Sequence, residues 1–296
     1  MQKSQNHSFS ENSQKTYSNS NDLVKKNVLG VGITDASSKD ILKYIVQNIQ
    51  KSASPYYIVT PNPEMIVLSH KNSDFQMALN GAKIALNDGV GVGLAAQSMG
   101  ISLTERFTGV DLVEKLCKEV SDWPITVGFL GGGPGVAELT SNCLVKKYPN
   151  LRVSFIGQEW SKEGFDLAKK YQVSSSKYYE STKPKIHNTK YLLPNTDVID
   201  ILFVAFGAPK QEFWMQEHVG KIPVKVLVGV GGAFDYISGK VPRAPKVVRS
   251  MGMEWLFRLA VQPWRIKRQL ALVEFVWMVI KEKLNMSFRG KAEKST

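Results

Sequence analysis

"ITVGFLGGGPGVAELTSNCLVKKY" (residues 125–148) opens with a β-branched and aromatic run, breaks at a cluster of glycines, and continues with apolar residues at helical spacing. A short apolar run closed by glycine reads as a buried strand, and the segment after it reads as a helix. The same form recurs along the chain. "NVLGVGITD" (27–35) reads as a strand into a loop, followed by "SSKDILKYIVQNIQKS" (37–52), an amphipathic helix with a Ser/Asp start signal. "YYIVTPNPEM" (56–65), "KIALNDGVGV" (83–92), "LRVSFIGQEW" (151–160), "DILFVAFGAPKQEFWMQEH" (200–218) and "VKVLVGVGGAFDYISG" (224–239) repeat it. Such repetition predicts an α/β fold, a Rossmann-like parallel sheet covered by helices, with ligands outside the carboxyl ends of the strands.

Charge divides the chain differently. Of the 296 residues 43% are hydrophobic, enough for a substantial core, and the formal net charge is +12. From Arg243 onward there are twelve Lys or Arg against four Asp or Glu, so two thirds of the net charge lies in the last 54 residues. This predicts a polar leader over 1–25, read as disordered, a catalytic α/β domain over 26–244, and a basic amphipathic helical appendage over 245–296 that binds membrane. The polar stretch 171–196 reads as a surface insertion with no assigned chemistry. Cys117 and Cys143 fit no metal or redox spacing and read as buried free thiols of a reducing compartment, and residues 1–22 lack the apolar core of a signal peptide.

Several chemistries are excluded by pattern. There is no D-x-D to hold a divalent ion against a nucleotide sugar, no ligand spacing among His7, His70, His187 and His218, no Walker A sequence and no G-x-S-x-G. No metal or cofactor is therefore expected. Gly131, Gly133 and Gly135 follow a strand and precede a helix, so their amides could meet a phosphate, but G-x-G-x-G equally suits a tight turn. A nicotinamide-dependent oxidoreductase is the rival that this loop raises, with Glu159 as its stand-in ribose-binding acid.

Thr60 and Asn62 lie just past a strand in backbone constrained by Pro61 and Pro63, and Asp88 occupies the same edge one strand later. The three could converge on one pocket, or Asp88 could simply cap the helix after it. Lys210, Gln211 and Asp235 stand at two further strand ends, where capping and solvation are the bland alternative. In "GMEWLFRLAVQPWRIKRQ" (252–269), Arg258, Arg265 and Arg268 suit a diphosphate through their planar forks, or form the polar side of a membrane-surface helix in a basic binding protein. Nucleic acid is disfavoured because no recognised binding module is present. "LALVEFVWMVI" (270–280) is too short to span a bilayer, which needs about 20 apolar residues. Trp264, Phe275 and Trp277 suit the membrane interface, with packing against the body or a sister subunit as the alternative.

"TPNPEMIVLSHKN", "LNDGVGVGLAAQSMG", "ERFTGVDL", "GFLGGGPGVAE", "FGAPKQE", "GVGGAFDYISGKVPRAP" and "GMEWLFRLAVQPWRIKRQ" occur in the order expected of the WecG/TagA/CpsF glycosyltransferases. The chain resembles that family over roughly residues 26–270. The resemblance implies inverting, metal-free transfer of an N-acetylmannosamine-type sugar from a UDP donor to undecaprenyl-diphosphate-linked N-acetylglucosamine. The reaction would take place at the cytoplasmic face of the membrane, in cell-surface polysaccharide or teichoic acid synthesis. It implies Asp88 as base and Thr60 and Asn62 orienting the sugars, with Gln211, Asp235, Lys210, Gly131 and Gly133 binding substrate. Arg258, Arg265 and Arg268 would neutralise the departing UDP. The implied partners are the UDP-sugar donor, the polyprenyl-diphosphate-linked acceptor and an anionic membrane surface; homo-oligomerisation stays open.

Overall fold

The computed structural model describes residues 23–51, 54–158 and 198–292. Most of the expected leader, the 171–196 insertion and Glu159 lie outside these residues.

The parallel sheet forms as expected. Six strands, β3 (Tyr56–Val59), β4 (Ile84–Ala85), β5 (Thr126–Gly131), β6 (Arg152–Gly157), β7 (Ile199–Ala205) and β8 (Val224–Gly229), pair in the order β4-β3-β8-β7-β5-β6. Every pairing is parallel. The central strands are buried on both faces, which is why they read as continuous apolar runs and not as alternation. Their alternate residues still divide between two cores. Phe129, Phe203 and Val228 join one apolar cluster and Leu130, Leu202 and Leu227 the other.

Helices α1 (Ser38–Gln50), α5 (Gly109–Val120) and α6 (Val136–Lys147) cover the first cluster. The second is covered by α2 (Pro63–Lys71), α3 (Ser73–Asn80), α4 (Val90–Ser98) and α7 (Lys210–His218). After β8 come the short α8 (Ala233–Ile237), then α9 (Lys246–Ser250), α10 (Glu254–Val261), a 3-10 turn at Pro263–Arg265, and the long α11 (Ile266–Ala292).

Three local expectations change. Cys117 is buried as expected, but Cys143 is exposed on α6. Residues 27–35 do not form one strand but most of an antiparallel hairpin, β1 (Lys25–Val28) with β2 (Val31–Thr34). Leu29 and Gly30 form its two-residue turn at φ 51° and 80°, and Asn27 Oδ1 accepts from the Gly30 amide at 2.8 Å. A leucine at positive φ is an unusual hairpin residue, so the turn carries little sequence signal; Leu29 is buried and packing holds it there.

Phe275 is also corrected. It is only 4% exposed and packs into the second core with Met65, Val92 and Ala95, so it docks α11 onto the body and does not serve a membrane interface. Burying a phenylalanine stabilises this contact by roughly 1.5–3 kcal/mol. The Lys71–Glu274 ion pair beside it, at 2.6 Å but largely exposed, adds little. Trp264 and Trp277 remain on the surface. No helix among the described residues is long and apolar enough to cross a membrane.

Candidate active site

Because every strand pairing is parallel, the loops leaving β3, β4, β5, β7 and β8 lie at one edge of the sheet. They form the floor of a cavity of about 1220 Å³, and α10 and α11 form its far wall. Thr60, Asn62, Asp88, Gly133, Gln211, Asp235 and Arg258, seven of the residues singled out in the sequence, line it.

Asp88 does not cap the helix that follows it. The N-cap of α4 is Gly89, without a side-chain hydrogen bond, and Asp88 Oδ2 instead accepts from the amide of Gly109, the first residue of α5, at 3.4 Å. Burial pushes the carboxyl up to about 7. The Gly109 amide and the Arg106 guanidinium pull the other way, and the carboxylates of Glu254 and Asp111 reinforce the rise. A carboxyl in this range can exchange a proton near neutral pH.

Its neighbours are more constrained. Thr60 is buried and its hydroxyl donates to the carbonyl of Gly229 at 3.2 Å, tying the end of β3 to the end of β8. Asn62 caps α2, its Oδ1 accepting from Met65 N at 3.0 Å, so one end of its amide is committed to the helix. Gln211 acts as a clamp. Its Oε1 accepts from the amides of Gly231 (3.0 Å) and Gly207 (3.3 Å), holding together the loops after β8 and β7. Glu212 Oε1 accepts from Gln211 Nε2 at 2.6 Å and fixes which way the amide points. Glu212 is fully buried and burial pushes it up to about 7. Gln211→Leu leaves two loop amides and a buried carboxyl without their partner. It is expected to cost about 1–3 kcal/mol in urea unfolding and to raise the donor KM; unchanged stability and KM would mean the loops hold themselves.

On the opposite wall, Arg258 lies flat against Gly232. A Cβ there would come within 2.6 Å of Arg258 Nη2, so only glycine permits this approach. The guanidinium stands 4.8 Å from the Tyr236 ring centroid, 3.7 Å from Asp235 Oδ2, and donates from Nε to Gln262 Oε1 at 3.2 Å. Asp235 thus orients Arg258. Arg106, which the residue-by-residue reading did not single out, also lines the cavity and donates to the carbonyl of Arg249 at 3.2 Å. Arg243 links α5 to the start of α10, with Nη2 at 2.7 Å from Asp111 Oδ1 and Nε at 3.4 Å from Glu254 Oε1. Although burial opposes it, the Arg243 guanidinium and the Thr108 hydroxyl hold Asp111 below the usual carboxylate range.

The remaining expectations fall away from the cavity. Gly131 does not line it; a Cβ there would meet Phe206 and the Ala205 backbone at 2.9–3.0 Å, so this glycine serves sheet packing. Lys210 is not a lining residue either, and its Nζ stands 5.6 Å from the Phe206 ring centroid. The side chains of Arg265 and Arg268 lie outside the described residues. Arg106, Asp111, Arg243 and Glu254 carried one signal in the sequence, their place in the family-like blocks that contain "ERFTGVDL", "VPRAP" and "GMEW"; nothing local marks them as partners. No group of three or more His, Cys, Asp or Glu among the described residues could hold a metal ion.

Comparison with known proteins adds a family and relatives. The Glycosyl transferase WecG/TagA/CpsF family matches residues 26–174 and 195–289. A protein of Bacillus spizizenii (strain W23) is 29% identical over 225 residues, 76% of this chain and 79% of that protein. One of Staphylococcus aureus (strain MRSA252) is 28% identical over 266 residues, 88% of this chain and 94% of that protein. One of Bacillus subtilis (strain 168) is 27% identical over 238 residues, covering 80% and 84%. All three are named N-acetylglucosaminyldiphosphoundecaprenol N-acetyl-beta-D-mannosaminyltransferase.

Proposed function

Since the chain belongs to the WecG/TagA/CpsF family of glycosyl transferases, we propose that it moves N-acetylmannosamine, or a closely related sugar, from a UDP donor to undecaprenyl-diphosphate-linked N-acetylglucosamine. The observation that carries the reading to this chain is Asp88, a half-buried carboxyl that desolvation pushes up to about 7, in a cavity that also holds Arg106 and Arg258. Asp88 takes the proton from the acceptor hydroxyl as its oxygen bonds to the anomeric carbon. The bond from that carbon to UDP breaks on the opposite face, inverting the configuration, and UDP leaves with the electron pair. Arg258, held by Asp235, meets the charge that develops on the diphosphate, and Arg265 and Arg268 of the same appendage join it. Thr60 and Asn62 shape the sugar end of the site, and Gln211 keeps the two glycine loops at donor-binding spacing. The nicotinamide reading has no support: the family is one of glycosyl transferases, and Gly131 packs the sheet.

Residues 26–244 form the catalytic domain in this reading, and 245–296 an appendage that seats it on the inner face of the membrane through exposed Trp264 and Trp277 and the basic residues around them. Donor screening with a short-chain lipid-diphosphate acceptor tests the reaction: UDP release is expected with UDP-N-acetylmannosamine or a near relative, and no release with any UDP-sugar refutes it. Liposome flotation tests the seat. The protein should float with anionic vesicles and release as salt rises, and equal recovery with neutral vesicles would refute an electrostatic attachment.

A further inference from the structure

We propose that the apolar part of the cavity lining, an arm built from α11, α4 and α10, is a binding site for the first isoprene units of the acceptor, a reading that rests on the lipid-linked acceptor proposed above. The cavity has two unlike kinds of lining. Asp88, Arg106 and Arg258 are one kind, and the other is apolar side chains from three helices. Leu272, Val276 and Ile280 lie at successive four-residue steps on one face of α11, Leu94 comes from α4, and Trp255 from α10. Leu94 is 59% exposed, Val276 55% and Trp255 47%, so these side chains meet water although they face a common space. Exposed apolar side chains that line the same cavity as a polar site call for an apolar ligand.

Continuity decides which ligand. The acceptor sugar must bring its hydroxyl to Asp88, and its diphosphate carries the hydrocarbon away from the other end of that sugar, so the chain must leave along a wall of the same cavity, and the apolar arm supplies that wall. From Leu272 to Ile280 the helix rises about 12 Å. At carbon–carbon bond lengths near 1.5 Å and a zigzag path, this matches about ten carbons of extended chain. Phe275, buried between α11 and the core, fixes that wall of the arm before any ligand arrives.

The test uses the whole protein without vesicles or detergent, and N-acetylglucosamine diphosphate esters of linear alcohols of about four, eight and twelve carbons, with UDP release as readout. The arm predicts that kcat/KM rises with chain length, by up to about fourfold for each methylene buried, and levels off near ten carbons. Leu94→Gln combined with Val276→Gln should flatten that rise. Equal kcat/KM for all three esters with the wild-type protein would overturn the proposal and needs no variant to fold. So would a length dependence that appears only when vesicles are added, because α11 then meets the bilayer and not the chain. A rise that survives intact in the folded double variant, judged by its thermal melt, would also overturn it. Absence of transfer to every ester would refute the reaction itself, a result distinct from transfer without length dependence.

Discussion

Asp88→Asn is expected to lower kcat by about a hundredfold or more, because it preserves shape while removing the base that general-base catalysis needs. The wild-type rate should rise with pH through about 7, where the carboxyl loses its proton. The variant's residual rate should lack that limb. Stability separates this from a folding defect. The folded carboxyl titrates near 7 and the unfolded one near 3.9, so the stability this group contributes is fully present below about pH 4 and is lost as pH rises through 7. Asp88→Asn removes that loss, and the variant should be at least as stable as the wild type at pH 8. Part of the slope should persist, because Glu212 is also raised to about 7 by burial. A variant with near-normal turnover, or one that is inactive only because it unfolds, would remove Asp88 from the proposed role.

Arg258→Ala should slow transfer by about a hundredfold, the usual scale for losing one preorganised donor to developing negative charge. Arg258→Lys should recover little, since an ammonium cannot lie flat on Gly232 and Tyr236 while presenting two parallel donors to a diphosphate. The loss should fall on kcat more than on donor KM, because the charge grows as the bond to UDP breaks. Since guanidinium groups supply the positive charge in this mechanism, EDTA should leave the wild-type rate unchanged. A strict requirement for added magnesium or manganese, or a loss confined to KM, would contradict it. Asp235→Asn offers a smaller companion effect, as it loosens Arg258 without removing it.

Much of the architecture was legible in the chain. Strands buried on both faces advertise themselves as apolar runs closed by glycine or proline, and their repetition implies parallel pairing with ligands at one edge. Thr60, Asn62, Asp88, Gln211 and Asp235 were identified because each stands where such a run ends. The ordered blocks led to the family. These are properties of covalent neighbours, which a linear pattern records.

What lay between distant segments was decided only by the tertiary structure. Asp88 accepts from Gly109, 21 residues on, and so leaves α4 to be capped by Gly89; the order of the strands and the entry of α5 determine this, and no local spacing encodes it. Gln211 clamps two loops because β7 and β8 are neighbours in the sheet, although α7 separates them in the chain. Phe275 looked like an interfacial aromatic beside Trp277, yet one of them is buried and the other exposed. Successive turns of a helix offer similar apolar residues to every side, and which side meets α2 and α4 is set by packing over the whole molecule. Burial likewise turned an ordinary aspartate into a group titrating near 7: the sequence determined that the carboxyl stands at a strand end, and the enclosing tertiary structure, by removing water from around it, decided its chemistry.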